Sequence, residues 1–408
     1  MSSRLSGKDK AFVAISFFFI IYSIFPLFAN VTGIPVFIPA LVVVGTLLLL
    51  FPKAFMGIST KWFIAYIGVL ILYIILGKPI FINGLNQSLP PLYRIIIEAA
   101  WILPNITIMN VLLYKNDVRL FRVIGYGSIG LLVASFLYIL PKVMESANYL
   151  RDDLGDIDVI RPVGLPGYDL MHAYTLMILP LCLLVKHRTG RNRYWYLALL
   201  LLFAYMVTRT AVTTSLVVMS VAVLFVFLFD VNRQRRTLLR LGIVLLFGYV
   251  LYKYGFFLMF ADGLMPYFED TAVSFKLQDL HTSMTRGQIT GETLTGRMDY
   301  HEISKDAFWE NPIIGSDRVG GHSKILDILG SMGLLSFIPY FMILYSSLKR
   351  YAFRLKKDVE LKPYLYFSFL LACVYLYTKG IFGNPGYLFM LVIVPSILIS
   401  INSLNKKK

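Results

Sequence analysis

His322 follows Gly320-Gly321 and opens an apolar run that begins Ile325-Leu326-Asp327-Ile328-Leu329-Gly330. Glycines let a backbone approach a ligand closely, and a neutral imidazole at a membrane surface suits proton abstraction near neutral pH. A lone histidine is more often structural than catalytic, yet the other four compete less well. His187 lies in a basic segment, His172 begins an apolar run, and His281 and His301 sit on polar stretches where solvated faces are the default. Five further cations also stand beside the ends of apolar runs: Arg161, Arg209, Arg297, Arg318 and Lys379. An arginine in such a place most often snorkels to lipid headgroups. One held deeper costs about 2.5 to 3.5 kcal/mol on insertion scales and is usually functional. Arg209 is the strongest of the five, because Met206, Val207, Ala211 and Val212 around it are apolar and no acidic residue lies near it in sequence.

The elements that must hold these side chains follow from composition. The chain has 408 residues, 57% of them hydrophobic and 15% charged, with a mean hydropathy of +0.70. Soluble domains carry about 25% charged residues, so a soluble globular protein is excluded. A crossing needs about 20 mostly apolar residues, and twelve runs approach that size: 11–29, 34–51, 62–77, 94–114, 118–140, 168–186, 194–208, 211–229, 238–260, 325–348, 363–382 and 385–401. The first follows Arg4, Lys8 and Lys10 as a signal peptide would, but it lacks a small-x-small cleavage site and is expected to stay as an anchor. The expectation is an all-α polytopic protein, one membrane domain over 1–408 with about twelve transmembrane helices and both termini cytoplasmic.

Charge decides the turns. The stretch from Tyr194 to Phe229 has no Gly or Pro, and as one helix it would run about 54 Å at 1.5 Å per residue. Both its flanks are basic, with Lys186, Arg188, Arg191 and Arg193 before it and Arg233, Arg235, Arg236 and Arg240 after it. Cytoplasmic loops are the ones enriched in Lys and Arg, so the run is expected to fold back near Thr208 to Thr214, with Arg209 at the outer end of a hairpin. Every alternate loop is then basic, and 25 of the 39 basic residues but only five of the 23 acids fall on the inner side. The formal charge of +16 therefore records membrane orientation, not affinity for nucleic acid.

Two outer segments exceed plain turns: a first loop, 141–167, and a large one, 261–321, between spans 9 and 10. The second is expected to be partly helical, around 266–280 and 298–309, the latter stopping before Asn311-Pro312 because a residue preceding proline disfavours helix. Phosphate-loop and HExxH signatures are missing, and the single Asp-x-Asp, at Asp156 and Asp158, belongs to an acidic patch of four carboxylates, so ATP-driven transport and metal-dependent transfer are disfavoured. The acidic patch Asp152, Asp153, Asp156 and Asp158 reads as solvated, and Cys182 and Cys373 lie inside apolar runs, so no cysteine-based metal site or disulfide framework is expected.

Four stretches together resemble the bacterial O-antigen polymerase and O-antigen ligase superfamily, polytopic glycosyltransferases acting on undecaprenyl-diphosphate-linked saccharides. Arg161-Pro-Val-Gly-Leu-Pro-Gly-Tyr-Asp looks like the family's Arg-x-x-Gly element before a helix, and Val207-Thr-Arg-Thr-Ala211 like its Ser/Thr-Arg-x-Ala element. The third stretch is Thr295-Gly-Arg-Met with Ala307-Phe-Trp-Glu-Asn-Pro-Ile-Ile-Gly315, and the fourth is Gly321-His-Ser-Lys-Ile-Leu-Asp-Ile-Leu-Gly-Ser-Met-Gly333, where the family's His-Asn is here His322-Ser323. The likeness covers roughly residues 160 to 340.

The resemblance implies a metal-independent inverting glycosyltransferase, without cofactor, that polymerises lipid-linked repeat units of O-antigen or capsule type on the outer face of the bacterial plasma membrane. In that reading His322 is the base that deprotonates the acceptor hydroxyl, and Arg209 and Arg297 bind the lipid diphosphate by charge-assisted hydrogen bonds. Arg161, Arg318, Lys379 and Tyr168 are substrate-binding. Donor and acceptor oligosaccharides, membrane lipids and a chain-length regulator are the implied partners. One alternative is a ligase moving glycan to lipid A core, and a second is a lipid-linked sugar flippase or secondary transporter. Transporters place ionisable groups near the midplane and show repeats, whereas Glu98 and Lys253 are the only clear candidates away from the ends of the expected spans.

Overall fold

The computed structural model describes residues 5–25, 35–78, 80, 90–145, 169–210, 213–229, 292–316, 318–356, 360–379 and 383–405, with short pieces between 239 and 282. Among the described residues the protein is all-helical. The main helices are α1 (Gly7–Ile24), α2 (Phe37–Leu50), α3 (Ile58–Ile75), α4 (Pro91–Lys115), α5 (Val118–Glu145), α6 (Asp169–His187), α7 (Arg191–Arg209), α8 (Thr213–Leu228), α9 (Glu292–Glu310), α10 (Lys324–Arg354) and α11 (Lys362–Thr378). The last, α12, begins as Asn384–Leu388, passes through a π turn at Phe389–Ile393 and continues as Val394–Asn405.

Eleven of the twelve apolar runs coincide with helices; the run 238–260 lies mostly outside the described residues. Among the described residues six helices, α3, α4, α5, α6, α10 and α12, are long and apolar enough to cross a membrane, and α2 and α8 are apolar but shorter. This is compatible with a multi-pass membrane protein. Helices suit that setting because each satisfies its own backbone hydrogen bonds without water. Leu41, Leu49, Ile75, Leu201 and Leu370 remain exposed on the bundle surface, as apolar side chains facing lipid would.

The core sits around α12, which is buried along its length and touches α1, α4, α5, α6 and α11. The polar group at its start is paired inside. Asn105 of α4 donates to Asn384 Oδ1 at 2.9 Å, Asn384 donates to Ser23 Oγ of α1 at 2.6 Å, and Ser23 donates to the Phe19 carbonyl. The π turn loosens the regular hydrogen-bond ladder, and Tyr351 of α10 donates to the Leu391 carbonyl within it at 2.6 Å.

Polar contacts sort the helix ends into two groups. At one end Lys115, closing α4, pairs with Asp9 of α1 at 2.8 Å, and Arg354 of α10 donates to the Asn116 carbonyl. Lys186 of α6 donates to the Val226 and Phe229 carbonyls that close α8. A cation at a helix C-terminus satisfies orphan carbonyls and opposes the macrodipole. The opposite end gathers the last turns of α5, α7 and α11 and the first turns of α6 and α10. Arg209 reaches the Met144 carbonyl, the Lys324 amide donates to the Lys379 carbonyl, and His172 lies 4.3 Å from the Tyr375 ring. The expected hairpin is present: α7 stops at Arg209, α8 starts at Thr213, and both pack on α6.

The helix expected over 298–309 is present as the longer α9, and it ends at Glu310 before Asn311-Pro312. Of the helix expected over 266–280, only a 3₁₀ turn at Met265–Phe268 falls largely within the described residues.

The span expected over 325–348 is not one continuous helix. Gly333 adopts φ 59° and ψ −164°, which breaks α10 after two turns. The segment 312–316 supplies the missing hydrogen bonds. Leu334 and Leu335 donate to the Pro312 and Ile313 carbonyls, and Ser316 donates to the Gly330 carbonyl at 2.7 Å. Tyr73 of α3 donates to both Ile314 and Met332 carbonyls, at 2.7 and 2.9 Å. Backbone groups buried away from water need such partners, so the break is a built joint. Its consequence is a short, separately held helix, 324–332, with His322 just ahead of it.

Candidate functional site

His322 lies on a loop that rests on α9. Tyr300 and Ser304, one turn apart on α9, face the loop from below. The Tyr300 ring sits 4.4 Å from the imidazole, and Ser304 Oγ accepts from the Gly320 amide at 2.9 Å. Glycine is needed for this approach: a Cβ on Gly320 would overlap the Tyr300 carbonyl, and one on Gly330 would come within 2.6 Å of the Ser304 carbonyl oxygen. Gly321 adds a left-handed turn at φ +79°. His322 itself is exposed.

The first turn of α10 closes the loop from the other side. Ser323 caps the helix by accepting from the Leu326 amide at 3.2 Å. Asp327 reaches back: its Oδ1 accepts from Ser304 Oγ at 2.8 Å and from the Gly321 amide at 3.1 Å, and its Oδ2 accepts from the Ser323 amide at 3.2 Å. This is a capping box shifted by one residue, and its two amide partners flank His322. Ser323, the residue after the histidine, is thus occupied as a helix cap.

Lys324 points into the bundle. Its Nζ lies 2.6 Å from Glu98 Oε1 of α4, and the two side chains are 1% and 0% exposed. Tyr340 and Tyr387 offer ring faces to the ammonium at 5.6 and 5.9 Å, and their hydroxyls share a hydrogen bond of 2.7 Å. Glu98, an isolated carboxylate in the sequence, is therefore one half of a buried ion pair. The pairing was not readable from sequence, since the partners are 226 residues apart.

Arg209 closes α7 in a half-buried position. One terminal nitrogen donates to the Met144 carbonyl at 3.3 Å, while its buried Nε has no hydrogen-bond partner among the described residues. No carboxylate pairs with it among the described residues. Arg318 differs: it pairs with Glu310 on the surface. Lys379 follows α11, and its backbone carbonyl holds the Lys324 amide at 2.9 Å. Next to it Tyr377 lies 5.4 Å from His301 of α9.

The structure thus joins His322, α9, the start of α10 and the end of α11 in one corner, and it places Arg209 at the same end of the bundle. Arg161 and Tyr168 lie outside the described residues. Arg297 lies on α9, with its side chain outside the described residues. Among the described residues no group of three or more His, Cys, Asp and Glu side chains is placed to hold a metal ion; the acidic patch at 152–158 is outside them. Sequence reasoning missed Ser304, Lys324 and Asp327. The Ser323-x-x-x-Asp327 spacing at a helix start was the available signal for the last. No protein-family model and no curated protein matches the chain.

Proposed function

We propose that the chain is a metal-independent inverting glycosyltransferase that joins undecaprenyl-diphosphate-linked oligosaccharide units at the outer face of the bacterial plasma membrane. In this reading about twelve helices cross the membrane, the basic end of the bundle faces the cytoplasm, and the His322 corner faces outward. The observation that carries it is Arg209: a half-buried guanidinium with no carboxylate partner and an unpartnered Nε among the described residues, at the bundle end that also bears His322. An uncompensated guanidinium suits a dianionic diphosphate, which it grips through paired charge-assisted hydrogen bonds. His322 takes the proton from the acceptor hydroxyl as that oxygen attacks the anomeric carbon, while the bond to the lipid diphosphate breaks. Arg209 and Arg297 stabilise the charge on the departing diphosphate.

The test is chain lengthening by purified protein given a lipid-diphosphate-linked oligosaccharide, with EDTA present. His322→Ala should lower the rate by about 10² to 10⁴, and Arg209→Ala should abolish product at the same donor concentration. Unchanged lengthening in His322→Ala overturns the catalytic assignment, and a strict metal requirement overturns the arginine role.

A further inference from the structure

The His322 loop is held from both sides by one carboxylate, and nothing in the reading above uses it. Asp327 is 5% exposed, and its three hydrogen bonds are to the amides on either side of His322 and to Ser304. Ser304 in turn holds the Gly320 amide, so the amides of Gly320, Gly321 and Ser323, on both sides of His322, are tied to α9 and α10 through this pair. A simple helix cap would need only Ser323, which already accepts from Leu326. The extra bonds fix the backbone of a glycine-rich turn that would otherwise sample many conformations. Tyr300 then limits where the imidazole can lie.

We propose that Asp327, acting with Ser304, is a positioning residue: it sets the His322 imidazole at the place where the acceptor hydroxyl must give up its proton. This rests on the reading of His322 as the base. The chemistry is sensitive to such placement, since a misplacement of about 1 Å can cost about 10²-fold in rate. Asp327 touches neither substrate nor reacting atoms in this assignment, so its loss should leave donor binding alone.

The experiment compares Asp327→Asn, Ser304→Ala and His322→Ala in full-length detergent-purified protein, with kcat and KM measured for the lipid-diphosphate-linked oligosaccharide. Ser304→Ala keeps the carboxylate and serves where Asp327→Asn fails to fold. The expected result for folded protein is a kcat lower by about 10- to 100-fold with KM changed by less than about 2-fold. Folded variants with wild-type kcat overturn the proposal while His322→Ala remains inactive, and so does a raised KM at unchanged kcat. Should His322→Ala keep wild-type kcat, the base assignment fails first, and the positioning role fails with it.

Discussion

Removing one member of the Glu98–Lys324 pair should cost more than removing both. At a separation of 2.6 Å the attraction is about 6 kcal/mol for an effective dielectric of about 20. Burial takes both ions out of water at several kcal/mol each, so the intact pair is close to neutral in net stability. Glu98→Gln or Lys324→Met alone leaves an uncompensated charge in a site that is at most 1% exposed, at a cost of about 3 to 5 kcal/mol. The double variant Glu98→Gln/Lys324→Met removes the charge problem and should be more stable than either single one. Reversible unfolding in mixed micelles, followed by tryptophan fluorescence, gives the four stabilities of the cycle. Single costs that simply add in the double variant refute the argument, because they would mean the two side chains do not compensate each other. The two tyrosine rings beside the ammonium give a second handle. Tyr340→Leu breaks the Tyr387 hydrogen bond in either background, and should cost up to about 2 kcal/mol more in wild-type protein than in Lys324→Met, the worth of a cation over a desolvated ring.

Glycine substitutions should separate packing from space. Gly320→Ala overlaps the Tyr300 carbonyl, and Gly315→Ala adds strain at φ +72° to overlap with the Met332 amide, so each should lose about 1 to 3 kcal/mol. Gly68→Ala, with nothing within 4 Å, should gain about 0.5 to 1 kcal/mol in the same unfolding assay; equal effects at all three positions refute the packing. The Asp9–Lys115 pair should show a defined pH dependence. Burial alone pushes the Asp9 carboxyl up, but hydrogen bonds from Lys115 and Ser6 and the Lys115 charge hold it below its ordinary value of 3.8. A lowered carboxyl adds stability that is present above 3.8 and lost as the pH falls through its folded-state value. Lys115→Gln should therefore cost at most about 1 kcal/mol at neutral pH, with the cost shrinking as the pH is taken beneath 3.8. A cost that grows on acidification contradicts the assignment.

The helices were legible because in lipid a crossing segment must close its own backbone bonds, so its signal lies within one run of residues. Charge added the one turn that hydropathy hides, between Arg209 and Thr213. Three features escaped for the opposite reason. The break at Gly333 depends on carbonyls from 312 and 313 and on a hydroxyl from α3, none of which leaves a mark in the run itself. Glu98 and Lys324 look unrelated until α4 and α10 are packed together. Asp327 reads as an ordinary polar residue at a helix start, and only the position of α9 shows that its carboxylate reaches the turn carrying His322.

These escapes share a physical cause that makes them informative about the site. An ion or open backbone group in an apolar setting needs a partner, and a partner within the same run is rarely available, so each such group demands a long-range contact. Glu98, Lys324 and Asp327 all meet that demand from elements that converge on the start of α10. Arg209 does not meet it among the described residues, where its strongest contact is one carbonyl at 3.3 Å. Among the described residues Glu98, Lys324 and Asp327 are matched inside the fold and Arg209 has no carboxylate partner, so an external anion has more to gain at Arg209 than at those three. That contrast, and not the bare presence of an arginine beside a helix end, is the physical ground for reading Arg209 as a ligand-binding residue.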